Sequence, residues 1–185
     1  MGQYYFTAAS LPILSLESIP SITLESFLST CELHLSKRDF KILFNSSIKI
    51  PENENSLSGV AKVCWDWEKS LRNELAKLRA AKINKSAEEY VRTGDMVFDT
   101  QRIASEAFKI ESPLEAETYL NVARLSFLES LSVGHYFDIT FLVIYYLKLQ
   151  ILDRISNFDT DKGFKKYKEI YKNILTAYEA GGSEI

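Results

Sequence analysis

The sequence is poor in the residues that interrupt helices or build small extracellular domains. Its 185 residues include only seven Gly, four Pro and two Cys. The low Gly and Pro content argues against a turn-rich β-sandwich and favours long helices. The two cysteines, Cys31 and Cys64, are too few for a disulfide framework, so we expect a reduced, cytosolic protein.

Positive charge is not in excess either. Lys and Arg number 22 against 25 Asp and Glu, which gives a net charge of −3. Nucleic-acid binding usually needs a strongly basic domain, so no nucleic-acid partner is expected. No run approaches the roughly 18 to 20 apolar residues that cross a bilayer. The N-terminus lacks the basic start of a secretory signal, and Phe6 stands where a myristoylation signal has Ser or Thr. We expect a soluble protein that sits at a membrane only through its partners.

What the sequence has in abundance is helical pattern, and its clearest helix is predicted from Pro113 to Leu131. Ser112 and Glu115 form a capping box around Pro113, which suits the first helical position. Gly134 offers a left-handed stop after the helix.

A second helix is predicted from Tyr136 to Asn157. It contains seven consecutive apolar or aromatic residues at 141–147, so other helices must surround it. The pair forms a hairpin. We therefore predict an all-α fold, a multi-helix bundle of about six to seven helices around this central hairpin, in a single domain over residues 1–185.

The remaining segments flank the hairpin. Residues 1–20 are an apolar N-terminal arm, helical or extended, that we expect to pack on the core. Residues 45–58 are polar and predicted to be a mobile loop. Further helices are predicted over 24–35, 36–44, 58–83, 86–108 with an interruption near 93–95, and 161–178.

The helix over 58–83 has the cleanest amphipathic pattern. Its apolar residues recur every three or four positions and predict one buried stripe, made of Val60, Cys64, Trp67, Leu71, Leu75 and Leu78. The polar residues between them, including Glu68, Lys69, Asn73 and Glu74, predict a solvated face.

Few residues suggest chemistry. Cys31 and His34 have the spacing of half a zinc site, which Cys64 and His135 would have to complete from elsewhere in the chain. We favour the interpretation in which Cys31 is a small core residue and His34 lies near a helix end. No catalytic residue, metal ligand or cofactor is predicted, and no small-molecule substrate.

Two charged residues of the hairpin have alternative interpretations. His135 and Asp138, three residues apart, could form an acid–base pair, but capping and the helix dipole explain them as well. Lys148 interrupts the most apolar stretch and could be a buried functional cation. More commonly, the stem of such a lysine extends along the edge of the bundle and keeps its charge in solvent.

The candidate partner-binding residues are Trp65, Lys162, Lys165 and Lys166. Trp65 lies off the buried stripe of its helix, so it could contact a partner. The final helix carries the three lysines beside aromatic residues repeating at three and four positions. Such a basic face can meet anionic lipid headgroups or an acidic partner, and an ordinary solvated face is the alternative.

Two stretches resemble a known family. They are residues 3–43, apart from 19–21, and residues 112–164, which together cover well over half of the chain. The second contains Pro113-Leu114-Glu115, Phe137-Asp138 and Tyr146-Leu147-Lys148-Leu149. The chain resembles a bacterial family of uncharacterised proteins associated with the V/A-type ATPases of spirochaetes, chlamydiae and Bacteroidetes. These motifs are also distantly similar to the C/d-type central-stalk subunit, which is longer and built from repeated helical units.

The resemblance implies a non-catalytic subunit of a V/A-type ion-translocating ATPase, acting as a rotor connector in the central stalk. Its partners would be the central shaft and the membrane ring, at the cytoplasmic face of the inner membrane. A transient assembly factor or helical adaptor for the same complex is the alternative. A metal-dependent enzyme using Cys31, His34, Cys64 and His135 is a third, less favoured hypothesis.

Overall fold

A computed structural model describes residues 4–16, 18–49, 51, 57–94, 97–158 and 160–181. Over these residues the chain forms eight α-helices and no β-strand, which confirms the all-α, multi-helix prediction. None of the helices in this part of the chain combines the length and the apolar character needed to cross a membrane. The helices are α1 Tyr5–Ser10, α2 Leu24–His34, α3 Lys37–Asn45, α4 Gly59–Lys82, α5 Phe98–Lys109, α6 Pro113–Ser132, α7 Ile139–Ser156 and α8 Thr160–Gly181.

The chain divides into two compact units, Met1–Asp153 and Arg154–Ile185. The first contains α1 to α6 and most of α7, and the second contains α8. A single domain over residues 1–185 stays a prediction.

The hairpin helices follow their sequence signals closely. The Ser112 hydroxyl accepts the Glu115 N–H at 3.4 Å, and Pro113 is the first residue of α6. Gly134 has a φ of +83°, the left-handed conformation that glycine adopts most easily. Helix α7 begins at Ile139, slightly later than expected, because the Asp138 carboxylate caps it by accepting the Phe141 N–H at 2.9 Å.

Helix α7 is enclosed as its composition predicts. No residue from 139 to 152 is exposed, and eight side chains of the helix are buried. Its first turns also contact the N-terminal arm, since the Tyr145 hydroxyl donates to the Pro12 carbonyl at 2.9 Å.

A hydrophobic core forms where α4, α5 and α6 meet. Trp67 of α4 stacks on Phe127 of α6 with ring centroids 4.6 Å apart, and Leu71 is completely buried. The apolar stripe predicted for this helix therefore faces the core where Trp67, Leu71 and Leu75 lie. The cluster comprises Trp67, Leu71, Leu75, Ile103, Ala104, Ala107 and Leu120.

The polar side of α4 is solvated only in part, with Lys77 and Arg79 exposed as predicted. Glu68, Lys69, Asn73 and Glu74 are all buried. Two opposed hydrogen bonds attach residue 92 to α4: the Asn73 amide donates to the Arg92 carbonyl at 2.8 Å and accepts the Arg92 N–H at 2.9 Å. The prediction was wrong for these four residues because other segments cover α4 on more than one side.

The helix predicted to start at Ser86 does not form. Residues 87–90 make only a turn, and Ser86 accepts the Glu88 N–H at 3.3 Å. The bonds to Asn73 hold the following backbone away from a helical path, and the helix begins only at α5.

The N-terminal arm contains the short helix α1 and then runs without regular structure. It is attached to the first unit by a Tyr4 N–H bond to the Phe137 carbonyl at 2.6 Å and by stacking of Tyr5 on Phe137. Several of its apolar side chains, including Phe6 and Ile13, remain exposed, so the arm packs on the core only in part. In the predicted mobile loop, residues 50 and 52–56 lie outside the described residues, and its mobility stays a prediction.

Candidate functional site

Helix α8 carries a row of exposed apolar side chains. Seven of its side chains are 42 to 80 % exposed although all are aliphatic or aromatic. Their spacing of three and four residues places them along one side of the helix. This set, the aromatic stripe, consists of Phe164, Tyr167, Ile170, Tyr171, Ile174, Leu175 and Tyr178.

The three lysines predicted to bind a partner lie together on the polar side of α8. Lys162, Lys165 and Lys166 are exposed, and their spacing makes them neighbours on the helix surface. Lys166 forms an ion pair with Glu169 at 2.9 Å, which is open to solvent. Lys168 lies over the ring of Phe164, 4.4 Å from its centroid. The helix thus presents an apolar side bordered by positive charge.

Trp65, the fourth candidate, lies inside the first unit. Only 3 % of its surface is exposed, so the expectation that it lies off the core is wrong. The Arg72 guanidinium covers its ring at 5.7 Å, and its indole N–H has no hydrogen-bond partner among the described residues. It lines a cavity of about 40 Å³ with Cys64 and Glu68. That volume suits water, whereas sites for organic ligands usually reach about 300 Å³ or more.

The four residues of the hypothetical zinc site are not brought together. Cys31 is fully buried in α2 and Cys64 is half-buried in α4, and burial raises the pKa of each thiol to about 12. His34 is exposed, and its ring packs edge-on against Phe6 with ring centroids 5.9 Å apart. Among the described residues, no group of three or more His, Cys, Asp or Glu side chains is placed to hold a metal ion.

His135 and Asp138 do form a pair. The His135 Nδ1 lies 2.5 Å from the Asp138 carboxylate, whose second oxygen accepts the Phe141 N–H. Burial raises the pKa of Asp138, but the hydrogen bonds from His135 and Phe141 outweigh it and hold the pKa below its ordinary value. The carboxylate is therefore a helix cap that fixes the turn between α6 and α7.

Lys148 extends along the edge of the first unit. Its side chain is 17 % exposed, and its ammonium group is paired with the more exposed Glu129 of α6. The arrangement matches the expected stem packed along apolar surface with its charge at the rim.

A model of the family described as "Protein of unknown function (DUF2764)" matches residues 79–177, just over half of the chain. The chain belongs to the DUF2764 family. No curated protein and no solved structure matches it.

The DUF2764 match begins in the last turn of α4 and ends near the end of α8. It includes α5, the hairpin of α6 and α7, and the aromatic stripe with its lysines, except Tyr178. Trp65, Cys31 and His34 lie outside the matched residues.

A buried charge cluster in this DUF2764 protein was not predicted from sequence. The Arg124 guanidinium donates to Glu68 at 2.9 and 3.1 Å and to Glu117 at 3.1 Å. Glu68 also accepts a bond from Arg72 at 2.7 Å. The Arg124 and Glu68 side chains are only 10 and 11 % exposed. The cluster joins α4 to α6.

One sequence signal could have found Arg124. It stands four residues after Leu120 and four before Leu128, so it lies on the buried stripe of α6. An arginine in that position needs an acidic partner, because a buried charge is costly unless it is paired. Nothing local identifies Glu68 as that partner, since the two residues are 56 positions apart.

Proposed function

We propose that this protein is a non-catalytic subunit of a V/A-type ion-translocating ATPase, acting as a connector in the central stalk. It joins the rotor's shaft to the membrane ring at the cytoplasmic face of the inner membrane. Its role is mechanical, and other subunits carry out hydrolysis.

The family resemblance supports this proposal. The likeness to the C/d-type subunit rests on Pro113-Leu114-Glu115, Phe137-Asp138 and the stretch from Tyr146 to Leu149. In the structure these residues build the α6–α7 hairpin: the first set starts α6, the second caps α7, and the third lies within the enclosed part of α7. A connector needs such a stiff scaffold, because it transmits force between its two contacts.

The observation that carries the proposal is the exposed amphipathic surface of α8. Contiguous exposed apolar surface of this kind marks interaction sites in soluble proteins. Lys162, Lys165 and Lys166 give it a positive side that suits an acidic partner surface. A connector can dock on another subunit through this positive side.

Charge reversal on α8 tests this docking. The full chain carrying Lys162→Glu, Lys165→Glu and Lys166→Glu is expressed with an affinity tag in cells that make the ATPase. Because docking relies on these charges, we expect at least a tenfold loss of co-purified shaft and ring subunits, measured by quantitative mass spectrometry.

The matched control is Lys37→Glu, Arg38→Glu and Lys41→Glu in α3. All three are exposed in the first unit and change the net charge by the same amount. This control should retain the subunits. Equal losses from both variants, or no rotor subunit with the unmodified chain, would contradict the proposal.

An assembly factor or helical adaptor for the same complex is the second candidate. The exposed aromatic stripe and lysines of α8 would suit a transient contact as well as a permanent one. A pulse-labelled time course separates the two functions. A subunit stays with the mature enzyme, whereas an assembly factor is found only with incomplete complexes.

A further inference from the structure

The aromatic stripe of α8 has an unusual composition for a helix that packs on another helix. Phe164, Tyr167, Tyr171, Ile174 and Tyr178 repeat at alternating spacings of three and four, which is the spacing of a coiled-coil seam. Seams of that kind use Leu, Ile and Val, but only Ile174 among these five is aliphatic. The residue types therefore argue against a coiled coil, whether with a second copy or with another protein.

The same residue types suit the boundary between lipid and water. Tyrosine has an apolar ring and a polar hydroxyl, and it is enriched where a membrane meets water. Three of the seven stripe residues are tyrosines, at 167, 171 and 178, and each is more than half exposed.

Lysines border the aromatic stripe along both edges. Lys168 lies one turn after Phe164 and holds its ammonium group 4.4 Å from that ring's centroid, at one edge. Lys166 lies one turn before Ile170, at the opposite edge. Glu169, which pairs with Lys166, lies on the polar side away from the stripe. Long lysine side chains in such positions reach the headgroup level while the apolar residues lie below it.

The charge of this helix complements an anionic surface. Helix α8 contains five lysines, all between residues 162 and 172, against three acidic residues, Asp161, Glu169 and Glu179. The rest of the chain does not share this excess, since the whole protein has a net charge of −3. Each lysine near an anionic bilayer strengthens binding by about fivefold.

We infer that α8 binds an anionic membrane surface directly, lying in its plane with the aromatic stripe in the headgroup region. This goes beyond the proposed function, in which the lysines on the polar side of α8 dock on another subunit and the protein reaches the membrane only through that contact. The two can fail separately, because lipid binding by the purified chain needs no other subunit.

Vesicle co-sedimentation with the purified full-length chain tests the inference. The probes are vesicles of phosphatidylcholine with one quarter phosphatidylglycerol and vesicles of phosphatidylcholine alone. We expect the anionic vesicles to bind at least tenfold more tightly, and this difference to shrink when the salt concentration is raised from 0.1 to 0.5 M, because salt screens exposed charges.

Two pairs of substitutions separate the stripe from the rest of the helix. Tyr171→Gln with Ile174→Gln removes apolar side chains from the stripe and should weaken binding at least tenfold. Asn173→Gln with Thr176→Gln changes two exposed polar-side residues of the same helix and should stay within twofold of the original. A third variant, Lys165→Gln, Lys168→Gln and Lys172→Gln, should lose at least about 20-fold on anionic vesicles.

Several results would overturn the inference. These are no sedimentation with anionic vesicles, equal binding to both vesicle types, or equal effects of the two glutamine pairs. Light scattering could also show that the original chain is a dimer and that the Tyr171→Gln and Ile174→Gln variant is a monomer. That result would assign the stripe to a second copy of the chain. If the original chain does not bind vesicles and the Tyr171→Gln and Ile174→Gln variant loses the co-purified rotor subunits, the stripe binds a protein partner.

Discussion

The buried pair of Glu68 and Arg124 allows a quantitative test of how the first unit is held together. Replacing Arg124 with Met removes both bonds to Glu68 and the bond to Glu117, and it leaves Glu68 inside the fold. Breaking a buried ion pair in this way costs about 3 to 5 kcal/mol. Arg72 still bonds Glu68 from a partly exposed position, so we expect a smaller loss of unfolding free energy, about 2 to 4 kcal/mol.

Urea unfolding followed by circular dichroism measures this change. The double variant Glu68→Met with Arg124→Met should be less destabilised than the sum of the two single variants, since removing both charges leaves neither one unpaired. Arg102→Met is the control, because Arg102 makes exposed bonds to Asp99 and Glu106 and should leave the midpoint almost unchanged. Additive effects, or an Arg124→Met midpoint as unchanged as that of Arg102→Met, would show that Glu68 and Arg124 do not stabilise the fold as a buried pair.

Two further predictions concern the hairpin and the cysteines. Asp138→Ala should lower the free energy of unfolding at pH 7 by about 1 kcal/mol, and Asp138→Asn by less, because Asn also caps helices. The pKa of Asp138 lies below its ordinary value, so the stabilisation by Asp138 is present above about pH 4 and disappears as pH falls through the folded pKa. Urea titrations measure the difference in unfolding free energy between the original chain and Asp138→Ala. A difference that stays constant down to pH 2 would contradict this. Burial raises the pKa of Cys31 and Cys64 to about 12, so a disulfide reagent at about pH 8 should label both only on unfolding. Rapid labelling of the folded protein would show that the thiols are accessible.

The all-α fold was predictable because several helix ends have local causes. Ser36 accepts the Asp39 N–H at 3.1 Å, and Ser112 accepts the Glu115 N–H, as their sequence positions suggest. These bonds join residues three apart, so the sequence alone contains both partners.

The same local signal failed at Ser86. Its pattern matches a capping box as well as that of Ser112, yet the chain there is bonded to Asn73 of α4 through residue 92. No local pattern reports a contact between residues 19 positions apart. Tertiary hydrogen bonds decided the conformation.

The sequence predicted the position of the exposed candidate residues on α8, but not the surroundings of the buried ones. The lysines of α8 lie on one side because their spacing puts them there. The prediction that Trp65 contacts a partner assumed that only the apolar stripe of α4 is buried. In the structure α4 is covered on several sides, and Trp65 is buried with them. The charge cluster around Arg124 depends on which helices are neighbours, and periodicity does not supply that information.

We propose that this DUF2764-family protein is a permanent part of a V/A-type ATPase rotor. The composition of the intact ATPase tests this most directly, with the enzyme purified through a tag on a catalytic subunit and quantified by mass spectrometry. We expect this chain at a fixed ratio to the central-shaft subunits, unchanged between newly assembled and mature enzyme. Its absence from the intact complex, with shaft and ring subunits present, would show that it is not a rotor subunit.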